Sequence, residues 1–505
     1  MDPRRVAFVA SECEPWAKTG GLADVVDALA RALGRLGVGV DVYLPAYRGV
    51  RHPRLSHRMA VPVPVASGAA ESSGDPGEDD EESIATVDVL SGHADGYRLR
   101  LVDHPFHFDR DGFYGDASGD YPDNGARFAL FGRAALETMR REGEPVDVIH
   151  GHDWQSSVAL VDRDVHYAAD PIVGRAATLL TIHNLAYHGW VPREQAGALR
   201  FPPSIGQPDG IDLLRESILA ADMVTTVSPT YAREALTAEY GMGLEDALAS
   251  RADAFVGIMN GIDPDVWDPA TDRALPVPYA LSPRERVVPT AEGKAAAKAD
   301  LAERHGLDAA DRVPLLGMIG RLDQQKGFDL LAGAAERIVE EGGSVIALGT
   351  GHPELLRDLR TVAAGRPGRI AVIEAFDRDE ARRIYAGSDV FLMPSRFEPS
   401  GQGQLIAFRY GTPVVARRTG GLADSVVDVD EDPKRGNGFL FDDPSADALF
   451  AAVSRAMGVY ADRARWAQLR ERVMTLDHSW AGPAGEYLDV YRQAMERHAA
   501  AGSRA

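Results

Sequence analysis

The sequence predicts an α/β protein of two doubly wound domains facing a central cleft, and three observations carry that prediction. Short, nearly continuous apolar runs alternate with longer amphipathic segments, the pattern of parallel strands covered by helices on both faces. The alternation thins between about residues 261 and 294, where Pro264, Pro269, Pro276, Pro278 and Pro283 cluster as in an interdomain connection. A hexapeptide, Thr19-Gly20-Gly21-Leu22-Ala23-Asp24, returns unchanged as Thr419-Gly420-Gly421-Leu422-Ala423-Asp424, each time behind an apolar run and ahead of a helical pattern.

In the first half the strands are read at Val6–Ala10, Val38–Leu44, Val146–His150, Ala177–His183 and Met223–Val227, with helices at Ala23–Leu36 and Ala126–Arg141. In the second half they fall at Val313–Gly320, Ser344–Leu348, Ile370–Ile373, Val390–Met393 and Pro413–Ala416, with helices at Phe328–Glu341 and Glu380–Ala386. The boundary is placed at residue 260, giving domains 1–260 and 261–480, then a terminal helix within 481–505. An acidic, small-residue stretch near 66–84 cannot bury a core and reads as a flexible surface insertion.

Composition narrows the partners. Acidic residues number 76 against 54 Lys and Arg, a net charge of -22, which disfavours a nucleic-acid backbone. A few cations in a narrow site still suffice for a small phosphorylated molecule. Cys13 is the only cysteine, which excludes an intrachain disulfide and fits a reducing cytoplasm. No stretch approaches the roughly 18–20 apolar residues of a membrane span. No obligate protein partner is signalled.

Five motifs carry chemistry. Lys18-Thr19-Gly20-Gly21 opens a helix whose free N–H groups, beside a mobile ammonium, suit a sugar phosphate. Arg321 and Lys326, in Arg321–Gly327, follow a strand at its carboxyl end, where two cations can neutralise a diphosphate leaving group. Glu398, in Pro394–Gln404, follows another strand end beside Ser400 and Gly401. Its carboxylate can bind sugar hydroxyls or offset positive charge at an anomeric carbon. His150-Gly151-His152-Asp153-Trp154 permits a metal reading and a sugar-binding one. Thr181-Ile182-His183-Asn184 ends a strand with two polar side chains in reach of one crevice. Of the Asp-x-Asp pairs, Asp377-Arg378-Asp379 is best placed for a divalent ion, yet it directly precedes a helix and suits capping. No metal and no cofactor are assigned.

These residues resemble the bacterial glycogen/starch synthase family, glycosyltransferase family 5. The resemblance rests on KTGGLADV at the amino end, YGD…DYPDN over Tyr114–Asn124, HDW, TIHNLAYHG, TTVSPTYA, NGID, RLDQQKG, PSRFEPSGQGQ, RYGT and the second TGGLAD, in the family's order along nearly the whole chain. It implies a two-domain GT-B fold, ADP-glucose as donor, an α-1,4-glucan primer as acceptor, retention of configuration and no metal. Carried over by motif, it implies catalytic roles for His183, Asp153, Arg321, Lys326 and Glu398. Donor contacts are implied for Lys18, Gly20, Gly21, Asn184, Ser400, Gly401, Thr419, Gly420 and Gly421, and acceptor contacts for Tyr121, Asp123, Asn124 and Trp154. It also implies that the terminal helix crosses back to the first domain.

Some positions depart from the family pattern. Ser400 stands where Cys is frequent, Gln402 where Leu is usual, Gly403 where Thr is usual, and Arg215-Glu216-Ser217 replaces a Lys, small residue, Gly run. They leave open a retaining GT-B relative that uses UDP-glucose or another acceptor. A catalytically dead glucan-binding paralogue would have lost Lys18, Arg321, Lys326 or Glu398, and all four are present. A phosphorylase would need a lysine-anchored pyridoxal cofactor, which no motif signals.

Overall fold

The apolar runs pair into two separate sheets in a computed structural model that describes residues 2–50, 55, 57–66, 83–308 and 312–502. Most of the acidic insertion, residues 67–82, lies outside the described residues. The chain divides into one unit of Met1–Val227, Ala232–Ile258 and Trp480–Ala505, and another of Ser228–Tyr231 and Met259–Ser479.

In the first unit β1 (Arg5–Val9) leads into α1 (Gly21–Arg35), β2 (Gly39–Pro45), β3 (His57–Val65), β4 (Ser83–His93) and β5 (Arg98–Asp103). Then come α2 (Asn124–Glu142), β6 (Val148–His152), α3 (Ser157–Val165), β7 (Ala177–Ile182), α4 (Leu213–Ala220), β8 (Met223–Thr226) and β9 (Phe255–Gly257). The sheet order is β9-β8-β7-β6-β1-β2-β5-β4-β3. All pairings are parallel except those of β4 with β3 and with β5. The chain builds outward from β1 in one direction and from β6 in the other. The switch point, where open α/β sheets bind ligands, therefore lies between β1 and β6.

The β3–β5 extension adds three strands that the apolar runs do not announce. β3 contains Pro62 and Pro64, which argue against a central strand; it lies at the sheet edge, where a missing N–H costs least. Its burial alternates, so its side chains do follow the two-residue period of a one-sided sheet.

In the second unit the first long helix is α5 (Thr290–His305), which lies across the end of the stretch read as irregular. Lys294 anchors it from inside, donating to Ser388 O at 2.7 Å and Thr412 Oγ1 at 2.5 Å. Then follow β10 (Leu315–Ile319), α6 (Phe328–Glu340), β11 (Ser344–Leu348), α7 (Pro353–Gly365), β12 (Ile370–Ile373), α8 (Arg378–Gly387), β13 (Val390–Met393), α9 (Gly403–Arg409), β14 (Val414–Arg417), α10 (Gly420–Ser425) and β15 (Gly438–Phe441). The all-parallel order is β12-β11-β10-β13-β14-β15, with its switch point between β10 and β13. Leu316, Phe391, Val414, Phe408 and Val453 form part of its core. α11 (Ala446–Ala461) and α12 (Arg463–Thr475) complete the unit.

The last helix, α13 (Ala481–Gly502), belongs to the first unit and packs on β6, β7 and β8. Ala484, Tyr487, Val490, Tyr491 and Ala494 are its buried face, the spacing of one helical stripe. Among the described residues no helix is long and apolar enough to cross a membrane.

Candidate active site

The second unit's polar motifs meet at its switch point. Arg321 follows β10 with 57% of its side chain exposed; its Nη2 donates to Gln325 Oε1 at 2.9 Å and lies 3.4 Å from Asp323. Glu398 follows β13 and is buried, its carboxylate held by Lys326 Nζ at 2.6 Å and by Ser395 Oγ at 2.9 Å. Asp323 accepts from the Lys326 amide, and Arg396 N donates to Gln325 O at 2.7 Å, tying the two strand-end loops together. Gly327 has φ 75°, and a Cβ there would lie 2.2 Å from Pro394 O, so these loops meet only around a glycine. The result is an exposed guanidinium beside Asp323 and a partly buried ammonium on Glu398, carried by two loops tied to one another.

Ser400 and Gly401 continue that loop, with Gly401 at φ 70°. Gln404 Nε2 donates to both of their carbonyls at 3.1 Å. The second TGGLAD copy packs against the same backbone. Gly421 N donates to Glu398 O at 3.0 Å, and a Cβ on Gly420 or Gly421 would lie 2.0 Å from Glu398 O or Ser400 O. Thr419 precedes them and is buried. Asp377 caps α8, accepting from Asp379 N at 2.9 Å and Glu380 N at 3.0 Å.

In the first unit the loop after β1 brings Glu12 back onto the first TGGLAD copy. Its carboxylate accepts from Thr19 N at 2.5 Å, Thr19 Oγ1 at 2.6 Å, Gly20 N at 3.2 Å and Tyr114 Oη at 2.7 Å. Lys18 is paired with Glu14 at 3.2 Å and with Asp24. Gly20 caps α1 and is exposed, with nothing within 4 Å of the point where a methyl group would sit, and Gly21 is the helix's first residue. In the sequence Glu12 shows only as the residue that ends an apolar run. The signal that could have found it is position: a carboxylate at a strand end, seven residues before a glycine turn.

On the other side of the switch point, β6 delivers Asp153 and Trp154. Asp153 has φ 54°, a left-handed backbone that is costly for a side-chain-bearing residue. The strain is balanced by its partners: Asp153 N donates to Thr181 O at 3.0 Å, and its Oδ1 accepts from His183 N at 2.6 Å. Burial pushes the carboxyl up to about 7 against the opposing backbone donors His183 and Asn184. Asn184 Oδ1 accepts from Ala186 N at 3.0 Å. The His183 ring meets His152, Nε2 to Nδ1, at 3.1 Å, and burial holds His150, His152 and His183 below the ordinary imidazole range.

Trp154 is buried edge-on to Phe128 at 5.1 Å, and a Cβ on Gly189 would lie 2.3 Å from its ring. Tyr121, Asp123 and Asn124 come together but are engaged with their own loop. Tyr121 lies between the guanidinium groups of Arg110 and Arg127, at 4.9 and 5.0 Å from its ring centre. Asp123 is gripped by Arg110 at 2.7 and 2.6 Å; burial would raise its carboxyl, but the neighbouring His107 and the Arg110 guanidinium hold it well below the usual range. Asn124 spans Tyr114 O at 2.8 Å and Arg127 at 2.6 Å. Arg215, Glu216 and Ser217 sit in α4, where Asp212 caps the Arg215 amide at 3.0 Å and Ser217 meets Ser157 at 2.9 Å.

Comparison with known proteins fits this arrangement unit by unit. Residues 5–250 match the family described as starch synthase catalytic domain, and residues 313–458 match glycosyl transferases group 1. The chain is 40% identical to a glycogen synthase of Syntrophotalea carbinolica over 98% of this chain and 99% of that one. It is 41% identical to glycogen synthase 2 of Geobacter sulfurreducens over 97% and 99%. The catalytic domain of starch synthase IV from Arabidopsis thaliana, solved bound to ADP and acarbose, superposes with a TM-score of 0.86 at 33% identity, covering 98% of this chain and all of that one. Sucrose-phosphate synthase from Thermosynechococcus elongatus, at 19% identity and a TM-score of 0.58, shares the fold alone. With two Rossmann-like units of the GT-B class and full-length likeness to glycogen synthases, the chain belongs to the glycogen/starch synthase family, and its activity is glucosyl transfer in glycogen synthesis.

Proposed function

We propose that the donor is ADP-glucose, that the acceptor is the non-reducing end of an α-1,4-glucan, and that transfer retains the anomeric configuration. The observation that carries this reading is the placing of Arg321 and the Lys326–Glu398 ion pair on the two strand-end loops at the second unit's switch point. The ADP and acarbose in the starch synthase IV structure, a nucleotide and a sugar analogue, support the same chemistry.

In this reading Arg321 and Lys326 bind the diphosphate and stabilise the charge that grows as the bond from glucose C1 to the phosphate oxygen breaks. The diphosphate leaves with the electron pair. The glucan 4-hydroxyl bonds to C1 on the same face and passes its proton to the departing phosphate. Glu398 meets donor sugar hydroxyls beside Ser400 and Gly401, while Thr419, Gly420 and Gly421 shape the backbone around them. In the first unit His183, Asn184 and Asp153 serve the transferring glucose, and Lys18, Gly20 and Gly21 its phosphates. Tyr121, Asp123, Asn124 and Trp154 build the acceptor side. The setting is the reducing cytoplasm that suits a chain with one cysteine.

The test is release of ADP from ADP-glucose, with and without glycogen, with UDP-glucose as the parallel donor and a chelator in one arm. Glycogen-dependent, chelator-insensitive ADP release is expected; a preference for UDP-glucose or indifference to glycogen overturns the reading. Lys326→Ala, in protein that melts as a folded chain, is expected to lose on the order of 100–1000-fold in kcat. Unchanged turnover would remove the diphosphate role.

A further inference from the structure

Three imidazoles share one face of the first unit's sheet. His150 and His152 are alternate residues of β6, and the register places His152 opposite Thr181, so His183, two residues on, continues the same face. The ring centres of His150 and His152 are 4.1 Å apart, and those of His152 and His183 are 5.4 Å apart.

His150 is engaged at both ring nitrogens. Its Nε2 meets Thr181 Oγ1 at 2.6 Å, and Thr181 in turn meets Thr225 Oγ1 at 2.7 Å. Its Nδ1 meets Tyr491 Oη at 2.9 Å. Both nitrogens of His150 are therefore committed, one of them to the terminal helix α13, and neither is left for its neighbour.

His152 has the opposite problem. Its Nδ1 meets His183 Nε2 at 3.1 Å, while its buried Nε2 has no hydrogen-bond partner among the described residues. Phe8 and His150 pack against the ring, at 5.0 and 4.1 Å between centres. Both imidazoles are neutral, since burial disfavours the charged form, so one proton occupies the bond between them. If His183 donated, the proton of His152 would sit on Nε2 as a buried N–H without an acceptor. If His152 donates, only a ring lone pair is left unpaired. An orphaned buried N–H is the rarer defect.

We propose that His152 is a positioning residue whose Nδ1–H donates to His183 Nε2, fixing His183 in the tautomer that carries its proton on Nδ1. The proposal rests on His183 serving the reaction, and it deepens that role. His183 then acts as a neutral hydrogen-bond donor through Nδ1–H and not as a base, because its one lone pair is already occupied by His152. The terminal helix has a part in this, since Tyr491 hydrogen-bonds His150, whose ring lies tilted against that of His152.

The experiment is long-range proton–nitrogen NMR correlation on the full chain with labelled histidine, paired with steady-state kinetics. The wild-type chain should show His183 protonated on Nδ1. His152→Asn keeps an N–H at the position of Nδ1 and should retain both that tautomer and kcat. His152→Leu removes the donor; His183 should shift toward protonation on Nε2 and kcat should fall about tenfold, the worth of one hydrogen bond, with little change in KM. Protonation on Nε2 in the wild-type chain overturns the proposal, as does a His152→Leu protein that keeps either the tautomer or the wild-type kcat. If His152→Leu does not fold, the wild-type spectrum and His152→Asn decide. His183→Ala with undiminished kcat would instead remove the underlying role of His183, an outcome distinct from a wrong tautomer.

Discussion

The same six residues, Thr-Gly-Gly-Leu-Ala-Asp, do two different jobs in the two units. In the first, Gly20 caps a 15-residue helix in open space, and the neighbouring amides are held by the Glu12 carboxylate. In the second, the glycines begin a helix of six residues and are pressed against the backbone of Glu398 and Ser400. The acids differ as well. Asp24 pairs with Lys18, whereas Asp424 accepts from Thr230 N and Oγ1, both at 2.7 Å. A glycine pair thus has no single meaning. In one copy it leaves the approach to a helix end open; in the other it lets two loops close on one another around a buried carboxylate.

The largest effect that separates the copies is expected at Gly421. Gly421→Ala puts a methyl 2.0 Å from Ser400 O, and the backbone must move. A loss of about 1–3 kcal/mol in unfolding free energy is expected, with weakened nucleotide binding because Glu398 moves with that loop. Denaturant unfolding and nucleotide titration read both; an alanine that costs nothing would break the comparison.

Glu12→Ala comes next. It strips a buried acceptor from Thr19 N, Gly20 N and Tyr114 Oη, and a cost of about 2 kcal/mol is expected. Unfolding followed in the first unit checks it, and a neutral result would show that the loop holds itself.

Acid sharpens the contrast further. His150, His152 and His183 are held below the ordinary imidazole value by burial, with His183 pushed down to about 3. The unfolded chain takes up protons below about pH 6.5 that the folded chain refuses, so this stability is present above that pH and is lost as pH falls toward the folded values. Asp153, raised to about 7 by burial, runs the other way, contributing stability below its unfolded value that is lost as pH rises toward 7. Melting temperature against pH should therefore show a steeper acid limb in Asp153→Asn than in the wild-type chain; a parallel curve contradicts the assignment.

The smallest effect is Gly20→Ala. Its methyl meets nothing, φ is -150°, and a change within about 0.5 kcal/mol is expected by thermal unfolding. A large loss there would erase the distinction between the two copies.

Much of the candidate site's placement at strand ends was legible in the chain. Arg321, Lys326 and Glu398 were visible because each follows an apolar run and strand ends gather ligand-binding groups. Their meeting at one switch point needed only the strand order. Trp154 had two meanings in the sequence, since an aromatic beside an acid serves a core as well as a sugar, and only the structure shows its ring packed under Gly189. Tyr121, Asp123 and Asn124 do come together in space, but their polar atoms are engaged by Arg110 and Arg127, whose proximity has no local periodic signature.

Alternation of apolar runs, helix-opening glycines and the order of motifs along the chain determined the two wound sheets and the family, because those signals are local and repeat with the backbone's own period. Only the folded structure decided that Glu12 returns to Thr19, that the two glycine pairs face open space and a crowded backbone, and that Tyr491 reaches His150 across 341 positions. Such pairings depend on which strands lie side by side and which helix packs over them, and hydrogen bonds between distant residues leave no spacing in the sequence from which to read them.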